Sequence, residues 1–210
     1  AQTNQFIRAM AHDLLKGKKG IVFGALNDMS IAWKVALEAH AQGAEIVLTN
    51  APVAMRKGEI HNLAKLCGDA PVIPADATSE EDLQKLFEGA MEHFGGKVDF
   101  VLHSIGMSPN VRKGKHYTDI NYKFLQTTLD VSAISLHKTL ATAKKLDALN
   151  EWGSVVALSY IAAQRIFPDY GDMADAKSLL ESITRSFGYH YGVAKKIRVN
   201  TVIQSPTVTT

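Results

Sequence analysis

The sequence has a single cysteine and no long uninterrupted apolar run, and each shortage excludes a class of protein. Cys67 cannot form a disulfide within the chain, and we expect a buried, inert thiol rather than a nucleophile. A membrane-spanning helix needs about 18 or more apolar residues in succession, and no such stretch is present. The first twenty residues carry charges throughout and lack the apolar core of a secretory signal, so we expect a cytoplasmic protein.

An excess of one charge sign is also missing. The chain has 23 basic and 21 acidic residues, which are well mixed and give a net charge of +2. This composition provides no broad basic face for nucleic acid. One local cluster, formed by Arg112, Lys113 and Lys115, falls in a predicted loop and is either a solvated surface or a patch that docks an anion. No metal-ligand spacing and no Ser/His/Asp arrangement is found, so we expect no metal site.

Short β-branched or apolar runs alternate with longer segments of helical period from Gly20 onward. The alternation predicts six strands, at 20–24, 45–49, 71–76, 98–104, 154–159 and 197–203. It predicts helices near 31–42, 59–67, 79–94, 121–147 and 173–191, and Ser79 is placed to cap the third of them. Such repetition requires parallel pairing, so we expect a doubly wound parallel sheet in three α/β/α layers. Residues 1–210 are expected to form one domain, with 1–10 a disordered or non-native leader.

The loop after the first predicted strand, FGALNDMSIAWKVA, has one glycine, Gly24, at the strand end and Ser30 where the helix begins. A glycine at this place allows close approach of a phosphate, and the N–H groups of a helix start attract anionic oxygens. The loop lacks the usual G-x-G-x-x-G pattern. Two interpretations therefore stay open: a dinucleotide-binding loop, or an ordinary turn capped by Ser30.

Three later strand ends bear on a dinucleotide. No acid follows the second strand, where a ribose 2′-hydroxyl is commonly bound, and Arg56 and Lys57 come shortly after; on balance we favour NADH. Asp76 ends the third strand and either accepts from an adenine amino group or caps a turn. Gly106 would let the backbone pass close to a cofactor ribose, whereas His103 lies within its strand and is interpreted as a core histidine.

The segment YIAAQRIFPDYGDMADAK carries the residues best suited to acid chemistry. Tyr160 follows the fifth strand, and Tyr170 lies ten residues later, with Lys177 seven residues beyond it. A spacing of seven returns to the same face of a helix, so Tyr170 and Lys177 can point into one cleft. A protonated tyrosine suits a developing oxyanion, and an ammonium nearby can hold ribose hydroxyls. The alternative is that both tyrosines pack in an interface.

Taken together, these motifs resemble the NADH-dependent enoyl-[acyl-carrier-protein] reductases of bacterial fatty-acid synthesis, the FabI type of the short-chain dehydrogenase/reductase superfamily. The resemblance runs from about residue 14 to residue 210 and is carried by GALNDMSIAW, VLHSIGMSP, ALSYIAAQRIFPDYGDMADAKS and IRVNTVIQSPT. Its most specific part is Tyr170-x6-Lys177 with Tyr160 ahead of it. Ordinary members of the superfamily carry Tyr-x3-Lys, and here Ala174 stands four residues after the tyrosine.

The resemblance implies that hydride passes from NADH to Cβ of a trans-2-enoyl thioester. It implies that Tyr170 stabilises the enolate and serves in protonation, that Lys177 holds the nicotinamide ribose, and that Tyr160 lines the acyl side. Ser108 maps to a substrate contact. The cofactor positions of the family map to Gly24, Ser30, Ile31, Asp76, Ala77, Ile105, Lys177 and Thr207. An acidic carrier protein as substrate and a homotetramer formed through the long helices are also implied.

The sequence departs from the family pattern in two places. Ala51 stands where many relatives have a glutamine near the ribose, and Gln204 and Ser205 replace the usual small pair before the proline. Family members also continue through a substrate-covering helix and a last strand, which we expect to be absent from this sequence.

Two other functions stay open at this point. A ketoreductase would need a catalytic serine about a dozen residues before its tyrosine, where Ala157 and Leu158 stand and Ser159 is close. A nucleotide-binding regulator without turnover is the second alternative.

Overall fold

The computed structural model describes residues 12–56 and 59–205, which are built around one parallel sheet. Its strands are β1 (Lys19–Phe23), β2 (Glu45–Thr49), β3 (Val98–His103), β4 (Leu149–Tyr160) and β5 (Arg198–Gln204). Their order across the sheet is β2-β1-β3-β4-β5, and every neighbouring pair is parallel. The predicted doubly wound parallel sheet is therefore confirmed.

Helices connect the strands. They are α1 (Ile31–Ala41), α2 (Pro52–Met55), α3 (Ile60–Leu66), α4 (Glu80–Phe94), α5 (Pro109–Arg112), α6 (Tyr122–Leu129), α7 (Ser135–Lys145) and α8 (Asp172–Lys195). A π turn, Asp130–Ile134, joins α6 to α7, and short 3₁₀ turns occupy Tyr117–Asp119, Ile161–Ala163 and Pro168–Tyr170. Among the helices of the described residues, none is long and apolar enough to cross a membrane.

Helices cover both faces of the sheet, and successive residues of a strand point to opposite faces. In β1, the side chains of Ile21 and Phe23 pack into one buried cluster together with α4, α7 and α8. Val22, between them, packs into a second cluster with α1 and α3. All three residues are almost completely buried, which explains why the strand sequence is apolar throughout.

The sequence prediction was wrong at 71–76, which does not form a strand. A single bridge pairs Val72 with Leu48, supported by the hydrogen bonds from Leu48 N to Pro71 O (2.9 Å) and from Ile73 N to Leu48 O (3.0 Å). Pro71 and Pro74 have no N–H to donate, and the pairing stays irregular: beyond the bridge, Ala75 N donates to Asn50 O at 3.1 Å, but no strand is formed. The segment still extends the sheet beyond β2 in the position that a sixth strand would occupy.

The predicted helix at 121–147 is interrupted by the π turn and divides into α6 and α7. The predicted cap of α4 is confirmed, since Ser79 Oγ accepts a hydrogen bond from the N–H of Asp82 at 3.2 Å. The predicted leader at 1–10, Lys57 and Thr207 lie outside the described residues.

The winding reverses between β1 and β3, because the chain moves outward from β1 to β2 and then returns to β3 on the other side. The loops that leave these two strands diverge, which opens a crevice at their carboxyl ends. Tyr160, the last residue of β4, and Tyr170, in the loop that follows, lie at the same edge of the sheet.

Candidate functional site

A cleft of about 300 Å³ lies at this switch point, outside the carboxyl ends of β1, β3, β4 and β5. It is lined by Gly24, Leu26, Ser30, Ile31, Ser104, Ile105, Gly106, Arg112, Leu158, Tyr170, Met173, Lys177 and Gln204. Residues that the sequence analysis singled out in separate parts of the chain therefore meet in one place: Gly24, Ser30, Ile31, Ile105, Gly106, Arg112, Tyr170 and Lys177.

The floor of the cleft depends on a close approach between the loops after β1 and β3. Gly24 has a φ of +91°, and a Cβ at this position would lie 1.9 Å from the carbonyl oxygen of Ser104. Any other residue would combine an unfavourable backbone conformation with a collision against main chain. Gly24 is thus required for the two loops to pass each other, and it leaves backbone rather than side chain facing the cleft.

Ser30 occupies the N-cap position of α1 but does not cap the helix. Its hydroxyl donates to Asn27 O at 2.7 Å and accepts from Leu26 N at 3.2 Å, so it closes the preceding loop instead. Of the two interpretations that the sequence left open, an ordinary turn capped by the Ser30 side chain is therefore wrong. The first N–H groups of α1, at Ile31 and Ala32, have no side-chain partner within the helix cap and carry the positive end of the helix dipole towards the cleft. The arrangement suits an anionic oxygen.

Tyr170 lies in the 3₁₀ turn that precedes α8, and its ring rests on a second tyrosine. The ring centroids of Tyr160 and Tyr170 are 4.4 Å apart with an interplanar angle of 37°, and Phe167 lies 5.5 Å from Tyr160 on the other side. Burial, followed by the neighbouring Tyr160, raises the pKa of Tyr170 to about 12. The phenol of Tyr170 is therefore a hydrogen-bond donor throughout the neutral range.

Lys177 lies in the second turn of α8 and is almost completely buried. Its ammonium donates to Leu158 O at 2.7 Å and Ile105 O at 3.4 Å, which joins α8 to the ends of β4 and β3. Burial lowers the pKa of this group to about 8, so it is mainly charged at pH 7. The close carbonyls fix the ammonium at the cleft wall, where it can also donate to a hydroxyl of a ligand.

The loop after β3 passes close to α8 at Gly106. A Cβ at Gly106 would lie 3.3 Å from the Cε of Met173 and 3.6 Å from the Nζ of Lys177, so the glycine leaves room for both side chains. Ser108 is buried outside the cleft lining, and its hydroxyl donates to Asp172 Oδ1 at 2.6 Å while accepting from Val111 N at 3.0 Å. A substrate contact for Ser108 stays a prediction.

Two predicted cofactor residues, Asp76 and Ala77, do not line this cleft. Asp76 is exposed, and its Oδ1 accepts from Thr78 N at 2.9 Å and from the Thr78 hydroxyl at 2.8 Å. This geometry is that of a turn cap, the second of the two interpretations left open by the sequence. Ala77 is buried beside it. Asn50, at the end of β2, donates to Ala25 O at 3.0 Å and so braces the loop after β1.

Two other residues with titratable side chains, His103 and Cys67, are buried and do not line the cleft. His103 is completely buried, with Nε2 2.9 Å from the hydroxyl of Ser135, while its Nδ1 has no partner among the described residues. Burial lowers the pKa of His103 to about 3, so it is neutral and belongs to the core. Cys67 is buried, as expected, and burial raises the pKa of its thiol to about 11, so that the thiol stays protonated at neutral pH. Within the described ranges, no group of three His, Cys, Asp or Glu residues could hold a metal.

Two structurally important residues were missed by the sequence reasoning. Asp172 is completely buried and receives three side-chain donors, although nothing in DMADAK distinguishes it from the more exposed Asp175. Ser132, in the π turn, donates to Met107 O at 3.1 Å and accepts from Met107 N at 2.9 Å. A continuous helical pattern gives no signal of such a turn, which is often associated with functional sites.

A parallel doubly wound sheet with a tyrosine and a buried lysine at its switch point defines a short-chain dehydrogenase/reductase. A family model described as Enoyl-(Acyl carrier protein) reductase matches residues 24–210. Over 201 residues the chain is 35% identical to the NADH-dependent enoyl-[acyl-carrier-protein] reductase FabI of Rickettsia bellii, covering 95% of this chain and 74% of that protein. It is 33% identical to enoyl-[acyl-carrier-protein] reductase [NADH] 1 of Rhizobium meliloti, with 96% and 72% covered.

The likeness extends to solved structures. The crystal structure of a FabI–NADH complex from Alistipes finegoldii is 65% identical, with a TM-score of 0.92, and the match covers 94% of this chain and 70% of that one. The enoyl-[acyl-carrier-protein] reductase (NADH) of Aquifex aeolicus matches with a TM-score of 0.85 at 29% identity, over 93% and 76% of the two chains. The chain belongs to the enoyl-[acyl-carrier-protein] reductase family.

Proposed function

We propose that this protein reduces the trans-2 double bond of enoyl thioesters carried on acyl carrier protein, with NADH as the cofactor. The observation that carries the proposal is the meeting of Tyr170, Lys177 and the glycine-floored loop in one cleft. When bound, NADH supplies the hydride that is added to Cβ of the substrate. The chain's own residues then have to hold the cofactor and accommodate the charge that moves to the thioester oxygen.

Tyr170 is proposed to meet that charge. Its raised pKa keeps the phenol protonated, so it can donate a hydrogen bond to the oxygen as an enolate forms and can serve in the protonation that follows. Preorganisation matters here, because the donor gains most when no reorientation is needed during the reaction. The ring stack with Tyr160 supplies it, and Tyr160 is proposed to support the acyl side of the substrate.

Lys177 is proposed to hold the nicotinamide ribose rather than to act as a base. Two backbone carbonyls already orient its ammonium, and a lysine that is mainly protonated at pH 7 donates hydrogen bonds and does not accept a proton. The residues present fit a dinucleotide, since Gly24 lets the loop after β1 pass Ser104 with only backbone at this point, and the start of α1 has no side-chain cap on its N–H groups. Ile31 and Ile105 also line the cleft.

NADH is proposed over NADPH from the residues at the end of β2. The Asn50 side chain donates to Ala25 O and accepts from Ala51 N, and neither Asn50 nor Ala51 carries a positive charge that could bind a 2′-phosphate. The related enoyl reductases of Rickettsia bellii and Rhizobium meliloti are NADH-dependent by name, which supports the same choice. Asp76 and Ala77 near the adenine, Thr207 at the carboxamide and Ser108 at the substrate remain proposals from the resemblance.

The structure gives a specific reason to disfavour a ketoreductase. Ser159, the serine nearest to the position that such an enzyme would need, is completely buried, and its hydroxyl donates to Glu181 Oε1 at 2.7 Å. It is therefore committed to joining β4 to α8. No other serine is present between β4 and Tyr170.

The experiment follows NADH oxidation at 340 nm with a crotonyl thioester, using the purified protein and its Tyr170→Phe variant. We expect turnover by the parent and a loss of about 10²–10³ in kcat for the variant, as for removal of one oxyanion donor. NADH affinity should be retained in Tyr170→Phe, because the hydroxyl is assigned to substrate. Absence of enoyl-dependent oxidation in a parent that binds NADH would refute the proposal and favour a regulator.

The docking of a carrier protein, the oligomeric state and the location in the cell are also proposals. Arg112 lines the cleft, and Lys115 is exposed beside it, so this surface is proposed to dock the acidic carrier protein. Lys113 is partly engaged, with its Nζ 4.4 Å from the Phe124 ring centroid. A rise in KM for the carrier-bound substrate with added salt, absent for a small thioester, would support docking. A homotetramer and a cytoplasmic location are proposed from the resemblance, and light scattering would test the former.

A further inference from the structure

Asp172, the first residue of α8, is a completely buried carboxylate that three side chains approach from two other segments. The Ser108 hydroxyl donates to Oδ1 at 2.6 Å, and the Asn110 amide donates to Oδ2 at 2.8 Å. The Thr128 hydroxyl lies 3.0 Å from Oδ2 and shares its single hydrogen between this oxygen and Phe124 O at 2.9 Å. The carboxylate therefore joins α8 to the loop after β3 and to α6.

No lysine or arginine pairs with this carboxylate among the ion pairs of the described residues, which is unusual for a fully buried acid. Its charge is accommodated by the directed donors and by the positive end of the helix dipole, since the residue opens a helix of 24 residues. Such an acceptor-only group fixes the orientation of every donor around it. A neutral side chain would not impose the same geometry.

The carboxylate is close in the chain to the acid of the proposed reaction. Only Gly171 separates it from Tyr170, and this glycine has φ +48° and ψ −137°, a conformation essentially restricted to glycine. A Cβ at Gly171 would lie 3.3 Å from Cγ2 of Val111, so the peptide is pressed against α5. The position of Asp172 therefore restricts where the turn that carries Tyr170 enters α8.

The same contacts also hold the loop after β3, which contributes to the lining of the cleft. Ser108 and Asn110 follow directly from Ile105 and Gly106, which line the cleft beside Lys177. Asn110 is itself fixed, because its amide donates to Asn121 O at 3.1 Å and its oxygen accepts from Asn121 N at 2.9 Å. One carboxylate thus fastens the start of α8, next to Tyr170, to the segment that follows the loop after β3.

We propose that Asp172 is a positioning residue for the enoyl reduction, acting through Tyr170 by fastening the start of α8 to the loop after β3 and to α6. The inference rests on the proposed function. The physical reason is that a small displacement of the Tyr170 hydroxyl would misalign its hydrogen bond to the thioester oxygen. A misplacement of about 1 Å commonly costs about 10²-fold in rate.

Asp172→Asn keeps the shape but places an NH₂ group where a donor already points, so at least one donor loses its partner. We expect kcat with a crotonyl thioester to fall by about 10–100-fold. The NADH dissociation constant should stay within about threefold, because Lys177 and Gly24 are held by other contacts. Asp175→Asn is the matched control and should leave kcat unchanged. It removes the same charge one turn further along α8, from a partly exposed carboxylate that accepts from the Tyr117 hydroxyl.

A double-mutant cycle with Tyr170→Phe separates positioning from general weakening of the fold. If Asp172 acts through the tyrosine, Asp172→Asn should cost less than about threefold in kcat once the hydroxyl is gone. An equal loss in both backgrounds, or an unchanged kcat in the single variant, would overturn the inference. A parent without enoyl-dependent turnover would instead overturn the proposed function and the inference with it.

A second pair of variants covers the case in which Asp172→Asn does not fold. Thr128→Val removes one donor with little change of shape, and Thr128→Ser restores the hydroxyl. We expect the valine variant to lose about fivefold or more in kcat with unchanged NADH affinity, and the serine variant to recover it. Equal activities of the two variants would count against a role for the carboxylate network in positioning.

Discussion

On the proposed role of Lys177, its lowered pKa should make NADH affinity depend on pH. The ordinary pKa of a lysine is 10.5, and burial lowers that of Lys177 to about 8. If the ammonium form binds the ribose, the apparent dissociation constant should grow in proportion to one plus the ratio of neutral to charged lysine. Between pH 7 and pH 9 this gives a weakening of about tenfold.

The stability of the unliganded protein should change in the opposite direction. Since the folded-state pKa is lower than the unfolded one, the unfolded chain binds more protons above pH 8, and stability therefore rises with pH. From pH 8 to pH 9 the expected gain is about 1 kcal/mol. Above about pH 9 the raised pKa of Cys67 works against it, because the unfolded thiol then ionises while the buried one does not.

The assay is a fluorescence titration with NADH at constant ionic strength, accompanied by urea denaturation of the unliganded protein at pH 8 and 9. Lys177→Met, which has a similar length without the charge, is the control and should bind NADH weakly with no dependence on pH in this range. A flat affinity between pH 7 and 9 in the parent would refute the assigned role of the ammonium. The same weakening in Lys177→Met would show that another group is responsible.

Two further predictions concern the floor of the cleft and the tyrosine stack. Gly24→Ala should weaken NADH binding by at least about 100-fold, because the added Cβ would collide with Ser104 O. The control is Gly95→Ala, at a glycine with φ +61° and open space around it. It should lower the free energy of unfolding in urea by only about 1 kcal/mol and leave NADH binding unchanged. Equal effects of the two substitutions would contradict the close approach. Tyr160→Phe should keep most of kcat and Tyr160→Ala should lose it, since the ring supports Tyr170; equal kcat values would exclude support by stacking.

Local rules predicted the sheet well because its strands are short apolar runs that must be buried on both faces. The failure at 71–76 also has a local cause, since Pro71 and Pro74 could have been read as breaks in a hydrogen-bonded ladder. The position of Gly24 was predicted correctly, but the reason for the glycine, the carbonyl of Ser104 from another strand, is a contact that no local pattern contains.

The partners of the buried polar residues could not be predicted for the same reason. Asp172 meets Ser108 and Thr128, which lie 64 and 44 residues earlier in the chain. Composition near Asp172 only indicates a helix start with acids in its first turn. Which acid turns inwards is decided by the packing of α6 and α5 against α8, and this information appears only once the elements are assembled.

The spacing of Tyr170 and Lys177 gave a correct result through incomplete reasoning. Seven residues along one helix would separate them by about 10 Å on the same face, whereas four residues, as in Tyr-x3-Lys, give about 6 Å. In the structure Tyr170 lies before the helix, and Gly171 turns the chain so that both side chains still line one cleft. The lysine therefore lies within α8, whereas the tyrosine lies in the turn before it, against Tyr160 and one residue from the buried carboxylate of Asp172. Because the two groups are held by different contacts, they could serve different molecules, as proposed, the ribose for Lys177 and the thioester oxygen for Tyr170. On that proposal a change at Asp172 should affect turnover and leave cofactor affinity intact.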